Sequence, residues 1–358
     1  MRRDRLTFGM LVGIPIIQLI LFGYAINTDP KHLPTAVVSA DYGPFSRGIV
    51  ASMQISNYFD LIPGLPDEAA ARQLLRGGEA QFVLSIPENF GRDLLRGDRP
   101  EILLEADATD PSAVANAVGS IDTIVSRAIA RELKGPNRYL QQSEAPFDLK
   151  VHLDYNPERR SQVNIVPGLL GIILTMTLVF ITALSLTREV ERGTMENLLS
   201  TPVRPIEVML GKITPFILIG YIQVALILVG ARYLFQVPME GSIELLLAIS
   251  SVFILANLSV GITFSSLARN QLQAVQMAVF FFLPSMLLSG FMFPFRGMPG
   301  WAQAVGNILP LTHYLPIVRG ILLKGNGWSE ITPHFWPLLA FFLAALIIGQ
   351  LRYRRTLD

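Results

Sequence analysis

Residues 163–187 read VNIVPGLLGIILTMTLVFITALSLT, without one charged side chain. A helix of about 20 residues crosses the roughly 30 Å hydrocarbon layer of a bilayer, and this run is long enough to do so. Working outward, five more stretches have the same character: Phe8–Ile26, Ile213–Phe235, Ile243–Leu267, Leu272–Phe293 and Phe335–Leu351. Charge follows the same division. Residues 1–160 hold 37 of the 57 charged side chains, and residues 161–358 only 20. The first share suits a water-facing domain and the second is too sparse for a soluble surface. The expected fold is an α-helical polytopic membrane protein with six transmembrane helices. Residues 1–26 hold the N-terminus and first helix, residues 161–358 a five-helix membrane domain, and residues 27–160 a small α/β domain inserted between the first and second spans. A net charge of +1 excludes a large basic footprint for nucleic acid. The absence of cysteine removes disulfides, thiolate metal sites and cysteine nucleophiles together.

Arg2, Arg3 and Arg5 precede the first span, and Gly23-Tyr24-Ala25 resembles a signal-cleavage site. Its apolar run is longer than the roughly 7–15 residues of a signal core, so an uncleaved anchor is expected. With the N-terminus inside, segments 1–7, 188–212, 268–271 and 352–358 carry 11 Lys and Arg in 43 positions. The outer loops 236–242 and 294–334 carry 3 in 48, and Trp301, Trp328 and Trp336 all fall on the outer side. This is the positive-inside pattern with an outer aromatic belt. Both termini are expected in the cytoplasm, with residues 27–160 outside, in a periplasm or its equivalent.

That domain alternates short apolar strands with helices. Strands are expected at Thr35–Ala40, Phe59–Ile62, Gln81–Ile86, Glu101–Ala106 and Val151–Tyr155. Helices are expected at Pro44–Ile55, Asp67–Leu75, Glu88–Leu95 and from Pro111 to about Lys134, the last capped by Asp110. Its charge balance is −5. His32 and His152 are far apart in sequence and read as surface or packing residues. The stretch Leu74-Leu75-Arg76-Gly77-Gly78-Glu79 reads as a helix C-cap.

A membrane protein of this shape needs an energy source or none. The chain lacks a phosphate-binding loop: Gly211-Lys212 is followed by Ile213 and has no glycine in the required earlier position. Ion-coupled carriers bury carboxylates within spans, yet no aspartate lies between Glu158 and Asp358. Glu244 falls at a span edge, and Arg232 near enough to one to snorkel. The buried polar candidates are Gln223, Asn257, Gln273 and Gln276, which lie on a path or cross-link helices. An external motor is implied. Gly168 and Gly171 in the second span permit close helix approach, either to a second chain or within this one.

The inner loop Arg188-Glu189-Val190-Glu191-Arg192-Gly193-Thr194-Met195-Glu196-Asn197-Leu198-Leu199-Ser200-Thr201-Pro202 supplies a candidate docking site. Gly193 breaks a helix, Thr194 can cap a new one and Pro202 stops it, leaving Met195, Leu198 and Leu199 as a small apolar face. From spacing alone this is either a docking helix or an ordinary amphipathic connector.

The stretch from Glu191 to Pro202 resembles the coupling-helix signature of type-2 ABC transporter permeases, E-x-G-T-x-E-x-L-x-x-T-P, at every specified position. Pro202-Val203-Arg204-Pro205, Gly211-Lys212, Phe264–Asn270, Leu288–Pro294, Pro310-Leu311-Thr312 and Val318–Ile321 are similar to segments of bacterial multidrug-type members of that family. The resemblance implies an ATPase-coupling site at Glu189, Glu191, Arg192, Gly193, Thr194, Met195, Glu196, Asn197, Leu198 and Pro202. It implies a separate ABC ATPase holding ATP and magnesium, a second permease chain, and a periplasmic membrane-fusion adaptor. This chain would bind no cofactor or metal and would form the path for a hydrophobic or drug-like substrate. Family members begin with an amphipathic helix on the inner membrane face, of which Arg2-Arg3-Asp4-Arg5 resembles the tail. The resemblance also implies that Gly297–Asn326 forms short helices dipping into the outer leaflet, broken at Pro299, Pro310 and Pro316. His313 and Arg319 there either contact substrate and headgroups or satisfy backbone carbonyls of the broken helices. An ATP-independent channel or carrier, and a membrane scaffold that moves nothing, are the rival readings.

Overall fold

The computed structural model describes residues 31–62, 67–109, 111–133, 146–156, 160–191 and 205–355. The expected first span, Phe8–Ile26, lies outside the described residues, as do Asp110 and most of the inner loop. The chain divides into two compact units, one of residues Asn27–Asn164 and one holding Ile165–Asp358.

In the first unit, strands β1 (Leu33–Ser39), β2 (Phe59–Ile62), β3 (Phe82–Ile86), β4 (Glu101–Asp107) and β5 (Asp148–Asp154) form one sheet in the order β2-β1-β3-β4-β5. Pairs β1–β2, β1–β3 and β4–β5 are parallel, while β3–β4 is antiparallel. Helices α1 (Pro44–Ile55), α2 (Glu68–Gly77), α3 (Phe90–Arg96) and α4 (Pro111–Glu132) alternate with the strands. Local chemistry sets their ends. Pro44 opens α1 where its missing N–H costs nothing. The Asp67 carboxylate caps α2 by accepting from Ala70 N at 2.8 Å. Gly78, at φ 78°, closes α2 in the left-handed conformation that glycine adopts freely. The sheet buries two apolar clusters. One is built on Phe45, Ile49, Met53, Phe82, Leu84, Phe90 and Leu104, and the other on Ala36, Ala71, Leu75 and Val83. Asp41 ties the loop before α1 to the first turn of α3, its carboxylate accepting from Gly43 N and from Gly91 N at 2.7 Å each.

The second unit is helical. Its long elements are α5 (Ser161–Glu191), α6 (Pro205–Tyr233), α7 (Ile243–Leu267), α8 (Gln271–Leu288) and α11 (Trp328–Arg355). All five are long and apolar enough to cross a membrane, the crossing stretches being Gln162–Glu189, Ile213–Tyr233, Ile243–Leu267, Gln271–Leu288 and Trp328–Gly349. Between α8 and α11 lie a 3₁₀ turn (Phe295–Gly297), α9 (Gly300–Gly306), α10 (Pro310–Arg319) and a π turn (Gly320–Lys324).

α5 and α7 are the most enclosed of the long helices. A Cβ on Gly261 of α7 would stand 2.7 Å from Thr182 Cβ and 3.0 Å from the Val179 carbonyl of α5, so only glycine fits. α6 and α11 leave much of their apolar surface open, as at Leu218, Ile222, Leu226 and Val229 and at Trp336, Leu343 and Ile347. Such helices are stable against lipid rather than water. Tyr314 of α10 is fully buried, stacks on Phe253 of α7 at 3.9 Å between ring centroids, and shares a 2.6 Å hydrogen bond with Ser250.

Three expectations change. Gly168 and Gly171 face their own chain: an added Cβ would meet Phe291 at 2.6 Å and Leu311 at 2.6 Å. They therefore carry no argument for a second copy. Pro316 does not break a helix but lies inside α10. Leu315, Ile317 and Val318 around it are buried, and that packing outweighs the hydrogen bond Pro316 cannot donate. The last long helix begins at Trp328 rather than Phe335, because Pro333 is carried inside the helix.

Candidate functional site

Glu189 and Glu191 end α5, whereas Arg192, Gly193, Thr194, Met195, Glu196, Asn197, Leu198 and Pro202 lie outside the described residues. The end of α5 is tied to the start of α8. The exposed Glu191 carboxylate accepts from Gln271 N at 2.8 Å and from Gln271 Nε2 at 2.5 Å. These two bonds, the side-chain one foremost, hold the Glu191 carboxyl below the ordinary carboxylate range. A helix start leaves its first amides without intrahelical partners. Glu191 satisfies one from across the fold, and Asn270 satisfies another by accepting from Gln273 N at 2.9 Å. Gln273 in turn accepts from Arg269 N at 2.8 Å. Thr187, one turn before Glu191, bonds Ser265 at 3.2 Å, so α5, α7 and α8 meet in one polar knot.

Within the long helices, Asn257 is fully buried and donates from Nδ2 to Phe253 O at 2.9 Å. Its Oδ1 has no hydrogen-bond partner, and neither has the Oε1 of Gln223 or of Gln276. Each is a buried acceptor of the kind that folded proteins pair with a donor. Gln223, Asn257 and Gln276 sit on three different helices, α6, α7 and α8. Gln273 is buried and used in the knot described above.

His313 and Arg319 both reach backbone carbonyls of the interrupted segment. His313 Nε2 lies 2.8 Å from Asn307 O, and Arg319 donates from a guanidinium nitrogen to Gly290 O at 3.5 Å. The sequence reading missed a partner of His313: its Nδ1 lies 3.4 Å from Nδ1 of His334 on α11. The two residues are 21 positions apart in different elements, and no spacing rule joins them. Among the described residues no group of three or more His, Cys, Asp or Glu side chains is placed to hold a metal. His32 and His152 are both exposed on the α/β unit, where His152 stands 3.4 Å from Asp154.

The family model for ABC-2 family transporter proteins matches residues 5–351. The chain is 30% identical over 361 residues to the probable multidrug ABC transporter permease YbhS of Escherichia coli K12, covering 99% of this chain and 94% of that one. It is 31% identical over 358 residues to the inner membrane transport permease YhhJ of the same organism, covering 96% and 93%. It is 27% identical over 356 residues to the probable multidrug ABC transporter permease YbhR, covering 99% and 95%.

Proposed function

The chain belongs to the ABC-2 family of transporter permeases, and from that premise we propose that it is the membrane-spanning subunit of an ATP-driven exporter. A separate ABC ATPase supplies the energy, and two permease chains together enclose the path. The substrate class is hydrophobic or drug-like, in keeping with the multidrug names of its relatives and with long helices whose buried polar side chains, among the described residues, are neutral. Both termini and the loop after α5 face the cytoplasm, residues 27–160 face the periplasm, and a membrane-fusion adaptor is the expected partner there.

The observation that carries this reading is the tie between Glu191 and Gln271. Glu191 opens the signature that continues through Gly193, Thr194 and Glu196 to Pro202, and it holds the first turn of α8. A push on the loop by an ATPase would reach α8 through one carboxylate and α5 through the continuous helix behind it. Nucleotide binding in the ATPase would then bias a two-state arrangement of these helices. Purification of the tagged chain from native membranes tests the reading. An ABC ATPase should accompany it in a one-to-one ratio of permease chains to ATPase domains. A chain that purifies alone and transports without nucleotide would be a channel or carrier instead.

A further inference from the structure

We propose that His313 and His334 form a binding site for a divalent transition-metal ion of the zinc type, joining α10 to α11. His313 Nε2 faces the Asn307 carbonyl at 2.8 Å. A carbonyl oxygen only accepts, so this nitrogen carries the proton and the neutral ring turns the Nδ1 lone pair outward. That lone pair is directed at His334, whose Nδ1 is 3.4 Å away. Two imidazoles bound to a tetrahedral zinc ion at about 2.0–2.1 Å each place their nitrogens about 3.3 Å apart. The two rings thus already stand at the edge of such a polyhedron, tilted by 44° with centroids 5.7 Å apart.

The surroundings match what a ligating histidine needs. Its remote ring nitrogen is typically anchored on a carbonyl or carboxylate, which fixes the tautomer; Asn307 does this for His313. His313 is only 8% exposed, and His334 is half-buried. No third His or carboxylate among the described residues joins them, so the remaining positions on the ion would be open to small exchangeable ligands. Glu330, one turn before His334 on α11, is engaged at the helix start, where its Oε2 accepts from Gly327 N at 2.9 Å. A second, independent reading of the pair is a simple N–H···N hydrogen bond, and it is the outcome that would overturn the proposal.

The chain suits the test, having no cysteine and only four histidines. Tag-free protein in detergent would be titrated with Zn²⁺ against a chromophoric chelator. One ion should bind per chain in the wild type and in the doubly substituted His32→Asn, His152→Asn protein. Affinity should fall by more than about 100-fold in His313→Asn and in His334→Asn, since loss of an outer-shell partner alone costs about 10–100-fold. Co²⁺ added to the wild type should give an intense tetrahedral visible band, a reading that needs no variant to fold. Zinc binding that survives His334→Asn, binding that follows His32 and His152, or only a weak octahedral cobalt spectrum would overturn the assignment.

Discussion

Glu191 at the end of α5 and Gln271 at the start of α8 are 80 residues apart and share two hydrogen bonds, of 2.8 and 2.5 Å. One of them fills a first-turn amide that α8 cannot satisfy itself. The tie therefore makes the order of α8's first turn depend on where α5 ends. Glu191→Ala should leave the amides of Gln271 and its neighbours exchanging faster with solvent while the rest of α8 is unchanged. Hydrogen exchange read by mass spectrometry on the intact protein checks this. Because the bonds depress the Glu191 carboxyl, the tie holds above the ordinary carboxylate range. It weakens as pH falls through the depressed value.

Much of the α/β unit was legible because its signals are local. Pro44–Ile55 and Phe59–Ile62 occur where proline and turn residues punctuate the chain. β5 is longer than the apolar run alone suggested, because Asp148 and Lys150 alternate with Leu149 and Val151 and pair with β4 from Glu101 onward. The membrane helices were legible from hydropathy, Ile243–Leu267 at both ends, but where a helix runs on past its apolar stretch the true end was not. α6 begins at Pro205, eight residues before the charge-free run that opens at Ile213, because Glu207 and Lys212 interrupt the apolar residues between them. Contacts between distant residues, such as Glu191 with Gln271 or His313 with His334, leave no periodic trace. They became visible only when the helices were packed.

The close approach of α5 and α7 at Gly261 predicts a steep response to size. Gly261→Val would drive its side chain into Thr182 and the Val179 carbonyl. Backbone cannot move aside as a side-chain tip can, so the cost should reach or exceed the roughly 1–3 kcal/mol typical of overpacking. Gly230 has nothing within 4 Å of the same position, and Gly230→Ala should be silent. Melting curves of the two purified variants distinguish these outcomes.

Asp41 offers a pH test in the α/β unit. Burial presses its carboxyl upward, but the amides of Gly91 and Gly43 outweigh this and the net is below the ordinary value. Its folded value is thus below its unfolded one. The stabilisation is present above the unfolded value and is lost as pH falls through the folded one. Asp41→Asn sets an amide NH₂ against a backbone donor and should destabilise the unit, by less than the roughly 1–3 kcal/mol of a fully buried group because water screens this site. Protection of the Gly91 amide, its exchange rate measured against the intrinsic rate at the same pH, should fall in the wild type as pH drops below the ordinary carboxylate range. In Asp41→Asn the protection of the Gly91 and Gly43 amides should no longer change with pH over that range.

The charge bias of the loops predicts which side each segment occupies. In spheroplasts, an impermeant thiol reagent should label Ser143→Cys and spare Ser200→Cys. The natural chain has no cysteine to interfere. Labelling at Ser200→Cys alone would invert the topology.

On the proposed function, the loop after α5 receives the ATPase's push. The most direct measurement is ATP-driven efflux of a hydrophobic dye from proteoliposomes holding the permease and its co-purified ABC ATPase. The wild type would be compared with Glu196→Lys and, as control, Glu240→Lys. A desolvated charge pair cut on one side costs about 2–5 kcal/mol. Glu196→Lys should therefore insert normally yet lose efflux, with ATPase released or hydrolysing without transport, while Glu240→Lys transports like the wild type. Full ATP-driven efflux by Glu196→Lys, with its ATPase still bound, would contradict the account.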